Sequence, residues 1–402
     1  QQEAQSAPEP KQRNNHEKMA IVGLSISVAG AENYESFTDL VVNNRTGIER
    51  FDAENCKVGA RSQLKNMMGF DPAYFGISKP EAKLMDPQQR HLLMGAVHCL
   101  QDAGVNPQRA RERIGVMASA GENTYFQDAL RGEYAAELPD SFQMALHHDK
   151  DFLGSKIAYR LGLTGPAVAV QAACGSSLIG LHMAAGMLRN NDADMMLVGG
   201  CLIDATLQDG YTYRSQHIFS KDGLCRPFDQ DASGTIGASG YGFVLLKPLS
   251  KAIADGHKIY AVLEGSAINN DGHDKMSYTA PSVKGQASVL KLALVDAGLQ
   301  PDDVSLIEAH GTGTALGDPI EIEALRQAYG PRKTQLAVSS LKSQIGHMGA
   351  AAGLVGLIRA IVALQTKKLP PNLNFKRLNP EIDLGDMPLA FPARSAAWKT
   401  DA

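Results

Sequence analysis

Three side chains that could form a reactive site lie in similar local contexts, each at the end of a strand-like run and beside glycine. Cys174 follows the apolar residues 168–173 and precedes Gly175 and a helical pattern. A helix N-terminus favours a thiolate, because its unpaired N–H groups carry partial positive charge. His310 and His347 each follow a further strand-like run. Together the three residues predict a nucleophilic site in which a thiol and two imidazoles converge.

The segments around these residues resemble the Cys–His–His signatures of β-ketoacyl synthases, and the resemblance extends from Met19 to Trp398. It includes residues 75–78, 86–90, 150–152, 225–229 and 265–272. The motif at 86–90 and the run at 278–283 are more similar to ketosynthase domains of modular polyketide synthases than to stand-alone fatty-acid enzymes. Within that group the chain is similar to domains of mixed peptide–polyketide assembly lines.

Alternating strand and helix patterns predict an α/β fold with buried sheets. The expected strands lie at residues 19–24, 114–118, 194–200, 242–246 and 304–309, and the expected helices at 87–103, 283–297 and 320–328. Residues 121–145 are expected to be irregular, and residues 259–268 are expected to open a second half. Residues 168–188 and 338–364 both run from a strand through a small-residue turn into an apolar helix. This repeated pattern indicates two similar halves. The resemblance to β-ketoacyl synthases implies a thiolase-like five-layer α/β/α/β/α arrangement.

The same patterns divide the chain into three parts. Residues 1–18 are rich in Gln, Glu, Asn and Pro and are expected to form a linker or disordered lead-in. Residues 19–250 form the predicted N-terminal half with the nucleophile, and residues 251–402 the C-terminal half with both histidines. Because the first residue is Gln, we expect a domain of a longer polypeptide.

The resemblance implies a two-stage reaction on carrier-bound substrates. An acyl chain moves from the phosphopantetheine thiol of an acyl carrier protein to Cys174. A malonyl-type unit on another carrier protein then loses carbon dioxide, and its enolate attacks the Cys174 thioester in a Claisen condensation. Neutral imidazoles at His310 and His347 are expected to donate hydrogen bonds to that enolate. The expected partners are the carrier protein, neighbouring synthase domains and a second copy of the chain, with no bound metal or cofactor.

Five further residues near the histidines are candidates for supporting roles. Lys342 is expected, from the resemblance, to organise both histidines. Asp318 and Glu321 are expected to be structural, pairing near the site and capping the helix that starts at about Pro319. Thr312 and Thr314 are candidates for binding the pantetheine arm, or they satisfy the loop backbone.

Composition excludes several other classes of function. The 402 residues are 44% hydrophobic and carry a net charge of −4, so nothing favours binding to nucleic acid or an anionic membrane. The most apolar stretch, residues 350–364, contains Arg359 and is predicted to be too short to span a bilayer. The five cysteines have no CxxC spacing, which disfavours a zinc site or disulfide scaffold and favours a reducing cytoplasm. The glycine-rich residues 237–242 lack the strand and helix of a dinucleotide site.

Three departures from the family pattern keep alternatives open. Ala172 and Gly175 lack the hydroxyls that relatives often carry, and Gln344 stands where Asn is common. Relatives also continue beyond the equivalent of Trp398 into a strand and a Gly-Gly-Thr-Asn loop, whose N–H helps to bind the acyl oxyanion. The alternatives are a non-elongating domain that only transfers acyl chains, a non-catalytic partner subunit, and a thiolase. The two histidine motifs disfavour a thiolase, and Cys174 disfavours a non-catalytic subunit.

Overall fold

The structure is a computed structural model that describes residues 17–55, 57–126, 140–215, 217–273, 275 and 277–398. The strands are β1 Met19–Val28, β2 Glu49–Arg50, β3 Ala60–Arg61, β4 Ile114–Ala120, β5 Ala167–Ala169, β6 Met195–Leu202, β7 Gly240–Pro248, β8 Ala261–Leu263, β9 Leu306–Glu308, β10 Leu336–Ser339, β11 Lys368–Leu369, β12 Leu389–Ala390 and β13 Ala396–Ala397. The helices are α1 Tyr34–Val42, α2 Lys79–Leu84, α3 Pro87–Asp102, α4 Ser141–His148, α5 Leu153–Leu161, α6 Ser176–Arg189, α7 Leu249–Ala254, α8 Val283–Ala297, α9 Gly317–Tyr329, α10 Lys342–Ile345 and α11 Ala352–Thr366. Strands and helices are interspersed as predicted, which confirms the α/β class.

The larger sheet is mixed and has the order β5-β4-β6-β7-β1-β8. Strand β4 pairs in parallel with β5 and β6, whereas β6, β7, β1 and β8 pair antiparallel to one another. Every residue of β4 and β7 is buried. Such continuous burial requires helices on both faces of the sheet, which explains the unbroken apolar runs in the sequence.

Helices and sheets stack in five layers. Helices α3 and α5 pack on one face of the large sheet, and α6 and α11 pack on the other. A smaller parallel sheet, with the order β12-β10-β9, lies on the far side of α11. Helices α8 and α9 close that side through a third apolar cluster that contains Leu294, Ile322 and Val338. This is the predicted α/β/α/β/α arrangement, and it places the strand ends that carry the reactive residues on either side of α6 and α11.

Two regions differ from what the sequence predicted. Residues 259–268, expected to open the second half, contain β8, which pairs with β1 of the large sheet. The region 121–145 was expected to be irregular, yet it contains the start of α4, which the Asp140 carboxylate caps. Residues 127–139 of that region and residues 1–16 of the lead-in lie outside the described residues. The division of the chain at residue 250 remains a prediction.

The apolar stretch that contains helix α11 is longer than the sequence indicated. Together with its preceding turn, α11 forms the 18-residue stretch Gly349–Thr366, which among the described residues is long and apolar enough to cross a membrane by length and composition alone. The prediction that it is too short was therefore wrong. The helix instead belongs to the protein core, where it contacts α6, β7 and β9 and buries Arg359 completely.

The large sheet depends on close packing around Phe243, and this generates a stability prediction. A Cβ at Gly199 would lie 2.0 Å from the Phe243 ring, and one at Gly95 would lie 2.6 Å from it. We expect Phe243→Ala to lower the free energy of unfolding by about 3–5 kcal/mol, because it leaves a cavity against β6 and α3. Urea denaturation measures the loss, and Phe142→Ala, at a side chain that is 65% exposed, is the matched control. Similar losses for both variants would contradict the prediction.

Candidate active site

The nucleophile turn is a short 3₁₀ segment between β5 and α6. Residues 173–175 form this turn, and Ala173 has the left-handed φ of +49°. The Ser176 hydroxyl stabilises it by accepting from the Ala172 N–H at 2.8 Å and donating to the Ala173 carbonyl at 2.7 Å. These bonds hold Cys174 half-buried at the wall of a cavity of about 680 Å³.

The structure brings the three predicted reactive residues together. Cys174 Sγ lies 3.1 Å from His347 Nε2. The His310 and His347 rings are nearly perpendicular, with centroids 5.3 Å apart. One polar atom from each of the three side chains lies within 4.8 Å of the other two. A substrate carbonyl bound to Cys174 is therefore within reach of both imidazoles.

The orientation of His347 determines which of its ring nitrogens carries a proton. The Gly349 N–H donates to His347 Nδ1 at 3.3 Å, which assigns the proton of the neutral ring to Nε2, the atom facing Cys174. The histidine ligands of metals instead donate their second ring N–H to a carboxylate or carbonyl. The side chains of Cys174, His310 and His347 lie as close together as the ligands of a metal site. The hydrogen bond from Gly349, however, leaves a proton on His347 Nε2, which can therefore donate to a substrate oxygen.

Lys342 lies beside the His310 loop, and its expected role in organising both histidines remains a prediction. Its side chain is buried, and Nζ donates to the His310 carbonyl at 2.5 Å. The Lys342 charge, together with burial, lowers the pKa of His310 to about 3. Burial and the same charge lower the pKa of His347 well below its ordinary value. Both imidazoles are therefore neutral at physiological pH.

The two carboxylates near His310 support the loop and do not cap the helix. Glu321 accepts from the N–H groups of His310 and Gly311 at 2.7 and 2.8 Å. Asp318 accepts from the N–H groups of Phe228 and Gly313 at 2.6 and 3.1 Å. Helix α9 already begins at Gly317 and has no side-chain cap, so the predicted capping was wrong. Burial raises the pKa of Asp318 to about 7, which its two backbone donors oppose.

The two threonines of the loop bond to each other and to the backbone. Thr312 and Thr314 hydroxyls lie 3.0 Å apart, and Thr314 Oγ1 accepts from the Gly317 N–H at 3.2 Å. This geometry agrees with the second of the two roles considered, that of satisfying the loop. Binding of a pantetheine arm by these hydroxyls remains a prediction.

Sequence reasoning missed a buried ion pair behind the histidines. Glu308 Oε1 accepts from the Leu341 N–H at 2.7 Å, and Oε2 accepts from Arg359 Nη1 at 2.6 Å. Two signals were available: Glu308 is a charged residue within a strand, and Arg359 interrupts an otherwise apolar helix. Neither signal identifies the partner, because the two residues are 51 positions apart.

The charge state of Cys174 also differs from the sequence-based expectation. Burial raises the pKa of the thiol, while the Lys342 charge and a backbone hydrogen bond lower it by less. Desolvation of the sulfur thus outweighs the effect expected from the helix N-terminus. The resting site contains a thiol and two neutral imidazoles.

Comparison with known proteins identifies the family. Residues 16–252 match the model of the N-terminal domain of β-ketoacyl synthases, and residues 260–376 match that of the C-terminal domain. Ketosynthase twelve of the bacillaene polyketide synthase from Bacillus amyloliquefaciens superposes with a TM-score of 0.90 at 34% identity, over 96% of this chain and 71% of that one. An oxazolomycin ketosynthase domain from Streptomyces albus superposes with a TM-score of 0.87 at 29% identity, over 95% of this chain and 68% of that one.

The chain belongs to the β-ketoacyl synthase family, with the thiolase-like fold of the ketosynthase domains of polyketide synthases. A phenolphthiocerol/phthiocerol polyketide synthase from Mycobacterium tuberculosis is 36% identical over 95% of this chain. Polyketide synthase PksN of Bacillus subtilis is 35% identical over 92% of it. The chain spans 27% of the first of these relatives and 7% of the second, so it corresponds to one part of much larger proteins.

The raised pKa of Cys174 predicts how its reactivity depends on pH. We expect alkylation by iodoacetamide to accelerate continuously up to at least pH 9.0, the ordinary pKa of the thiol, because only the thiolate reacts. Lys342→Met should slow alkylation at each pH, since it removes a charge that stabilises the thiolate. Mass spectrometry measures the rate, and Cys174→Ser reports the background from the other cysteines, of which the described ones, Cys99, Cys201 and Cys225, are buried. A plateau below neutral pH would reveal an ion-paired thiolate and contradict the prediction.

Proposed function

We propose that this chain catalyses acyl transfer to Cys174 and decarboxylative Claisen condensation with a malonyl-type unit on an acyl carrier protein, in polyketide biosynthesis. The observation that carries the proposal is the convergence of the Cys174 thiol with two neutral imidazoles, beside a cavity that Cys174 and His310 line. Family membership supports it, since the solved relatives are ketosynthases.

The first half-reaction is an exchange of thioesters. Cys174 Sγ attacks the carbonyl carbon of the acyl-pantetheine thioester, a new C–S bond forms, and the pantetheine sulfur departs. The proton that leaves the Cys174 thiol ends on the departing sulfur, so the exchange consumes no acid or base. His347 Nε2, 3.1 Å from Sγ, is placed to hydrogen-bond the sulfur during this exchange.

The second half-reaction begins with cleavage of a carbon–carbon bond in the malonyl unit. The electron pair of that bond becomes the enolate as carbon dioxide leaves, and negative charge develops on the thioester oxygen. The N–H groups of His310 and His347 are placed to donate to this oxygen. The enolate carbon then attacks the Cys174 thioester, and the Cys174 sulfur departs with its electron pair.

The described residues favour condensation over the alternative functions. A domain that only transfers acyl chains has no use for a second imidazole beside the first, yet His310 is held in place by Lys342 and Glu321. A non-catalytic partner subunit has no use for a thiol at the wall of a cavity. We therefore assign His310 and His347 to the enolate, with Lys342, Asp318 and Glu321 as supporting residues.

The proposed setting follows from the relatives. They are polyketide synthases, so neighbouring synthase domains and an acyl carrier protein are the proposed partners. We propose that substrates arrive on the phosphopantetheine of that carrier and that the reaction needs no bound cofactor. The four described cysteines are free thiols, which supports the proposed cytoplasmic location.

Replacing the histidines should separate the two half-reactions. We expect His310→Ala to slow condensation by about 10²–10³-fold while acylation of Cys174 changes far less, because one donor to the enolate is lost. Intact-protein mass spectrometry follows both steps, first with an acyl-pantetheine thioester and then with malonyl-loaded carrier protein. His182→Ala, on α6 and bonded to Ser266, is the control.

The outcomes of that experiment distinguish the functions considered. An adduct on Cys174 that converts to a β-ketoacyl product establishes condensation. An adduct that forms in the unaltered protein but never condenses would favour a transfer-only domain. Equal loss of both half-reactions in His310→Ala would contradict the assigned division of roles.

We propose that two copies of the chain form a homodimer through β5, which is an edge strand of the large sheet among the described residues. Val168 and Val170 point their N–H groups toward β4, so those of Ala167 and Ala169 point outward from β5. We expect Ala169→Pro to weaken dimerisation, since it removes an outward donor without breaking a bond to β4. Sedimentation velocity measures the monomer fraction, and Ala169→Ser, which keeps the N–H, is the control. An unchanged dimer in Ala169→Pro would exclude pairing through β5.

A further inference from the structure

We propose that Arg359 is a positioning residue for the histidine site: its guanidinium fixes β9 and α10 relative to each other and so keeps Lys342 beside His310. The inference rests on the proposed function only in assigning those histidines to the reaction. Arg359 bonds to none of the reacting groups: its side chain, on α11, is fully buried, and its ion-pair partner Glu308 lines the cavity.

The guanidinium joins four segments of the chain. Nη1 donates to Glu308 Oε2 at 2.6 Å and to Ser339 Oγ at 3.0 Å. Nη2 donates to Gln344 Oε1 at 3.1 Å and to the carbonyl of Pro371. Only a planar fork with several fixed donors can satisfy these partners together, so lysine is not equivalent at this position.

Two of these contacts converge on α10. Glu308, held by Arg359, accepts from the Leu341 N–H immediately before the helix. Gln344, also held by Arg359, lies within the helix and donates to the carbonyls of Leu40 and Arg45 at 3.1 and 3.0 Å. Helix α10 is thus attached to β9 at its start and to the N-terminal half at its centre.

The position of α10 determines the electrostatics of His310. Lys342 is the first residue of α10 and, of the influences on the pKa of His310, its charge is the largest. The charged and titratable groups that surround His310 are Lys342 from α10, His347 from the segment after it, Glu321 from α9, Cys174 from the nucleophile turn, and Glu308 and Asp271 at the cavity wall. Movement of α10 alone changes the distance from Lys342 to His310 and leaves the contributions of α9 and the nucleophile turn in place.

The test is a titration of His310 in Arg359→Lys, which keeps a positive charge beside Glu308 and removes the fork. NMR of protein labelled at histidine, with the His310 signal identified from its absence in His310→Ala, reports its protonation without substrate. We expect the pKa of His310 to rise from about 3 toward its ordinary value of 6.5. Gln344→Met, which spares the Glu308 ion pair but removes the side-chain bonds of Gln344 to Arg359, Leu40 and Arg45, should produce a smaller rise.

A second buried cation supplies the matched control. Lys247 on β7 is 1% exposed and pairs with Asp255 at 2.5 Å. Lys247→Arg should leave the His310 titration unchanged. A His310 pKa that stays at its original value in folded Arg359→Lys and Gln344→Met would overturn the proposal, as would an equal rise in Lys247→Arg.

A kinetic readout separates this inference from the proposed function. In Arg359→Lys the acidic limb of the pH profile for malonyl decarboxylation should move to higher pH. With a raised pKa, His310 would become protonated at a higher pH, and the active neutral form of its ring would be lost there. A purely structural defect would lower the rate equally at every pH and would count against the proposal. If the unaltered protein fails to condense at all, the proposed function fails, whereas the substrate-free titration still decides the role of Arg359.

Discussion

The site depends on one buried ammonium group, that of Lys342. Burial lowers the pKa of this group, and the neighbouring carboxylates of Glu321 and Glu308 oppose that shift and so favour the charged form. Those carboxylates in turn need donors, which are the backbone of the His310 loop and the guanidinium of Arg359. An uncompensated buried charge would be costly, so none of these groups can be removed without affecting the others.

The layered architecture explains how distant residues reach one cavity. Helices α6 and α11 lie side by side between the sheets, and each follows a 3₁₀ turn, at residues 173–175 and 349–351. The first turn carries Cys174, and the second follows His347 and supplies the Gly349 N–H that orients it. Two similar halves facing each other therefore bring a nucleophile from one half against imidazoles from the other.

The sequence predicted what local patterns determine. Helix α8 has the predicted bounds, and the runs before Cys174, His310 and His347 identified the turns that converge. It did not predict the carboxylate contacts of Asp318, the ion pair of Glu308 with Arg359 or the raised pKa of Cys174. Each of these three features depends on which segments pack together and on how much water they exclude. A short window of the sequence determines neither the packing partners nor the exclusion of water.

Neutral imidazoles suit a carbon nucleophile better than imidazolium ions would. An imidazolium beside the malonyl carboxylate would form an ion pair with it and stabilise the substrate before carbon dioxide leaves. Once the enolate formed, an imidazolium could transfer a proton to it and destroy the nucleophile. A neutral ring donates a hydrogen bond and keeps its proton. In the proposed reaction Lys342 lowers the pKa of His310 and His347 and would therefore favour attack on the Cys174 thioester over protonation of the enolate.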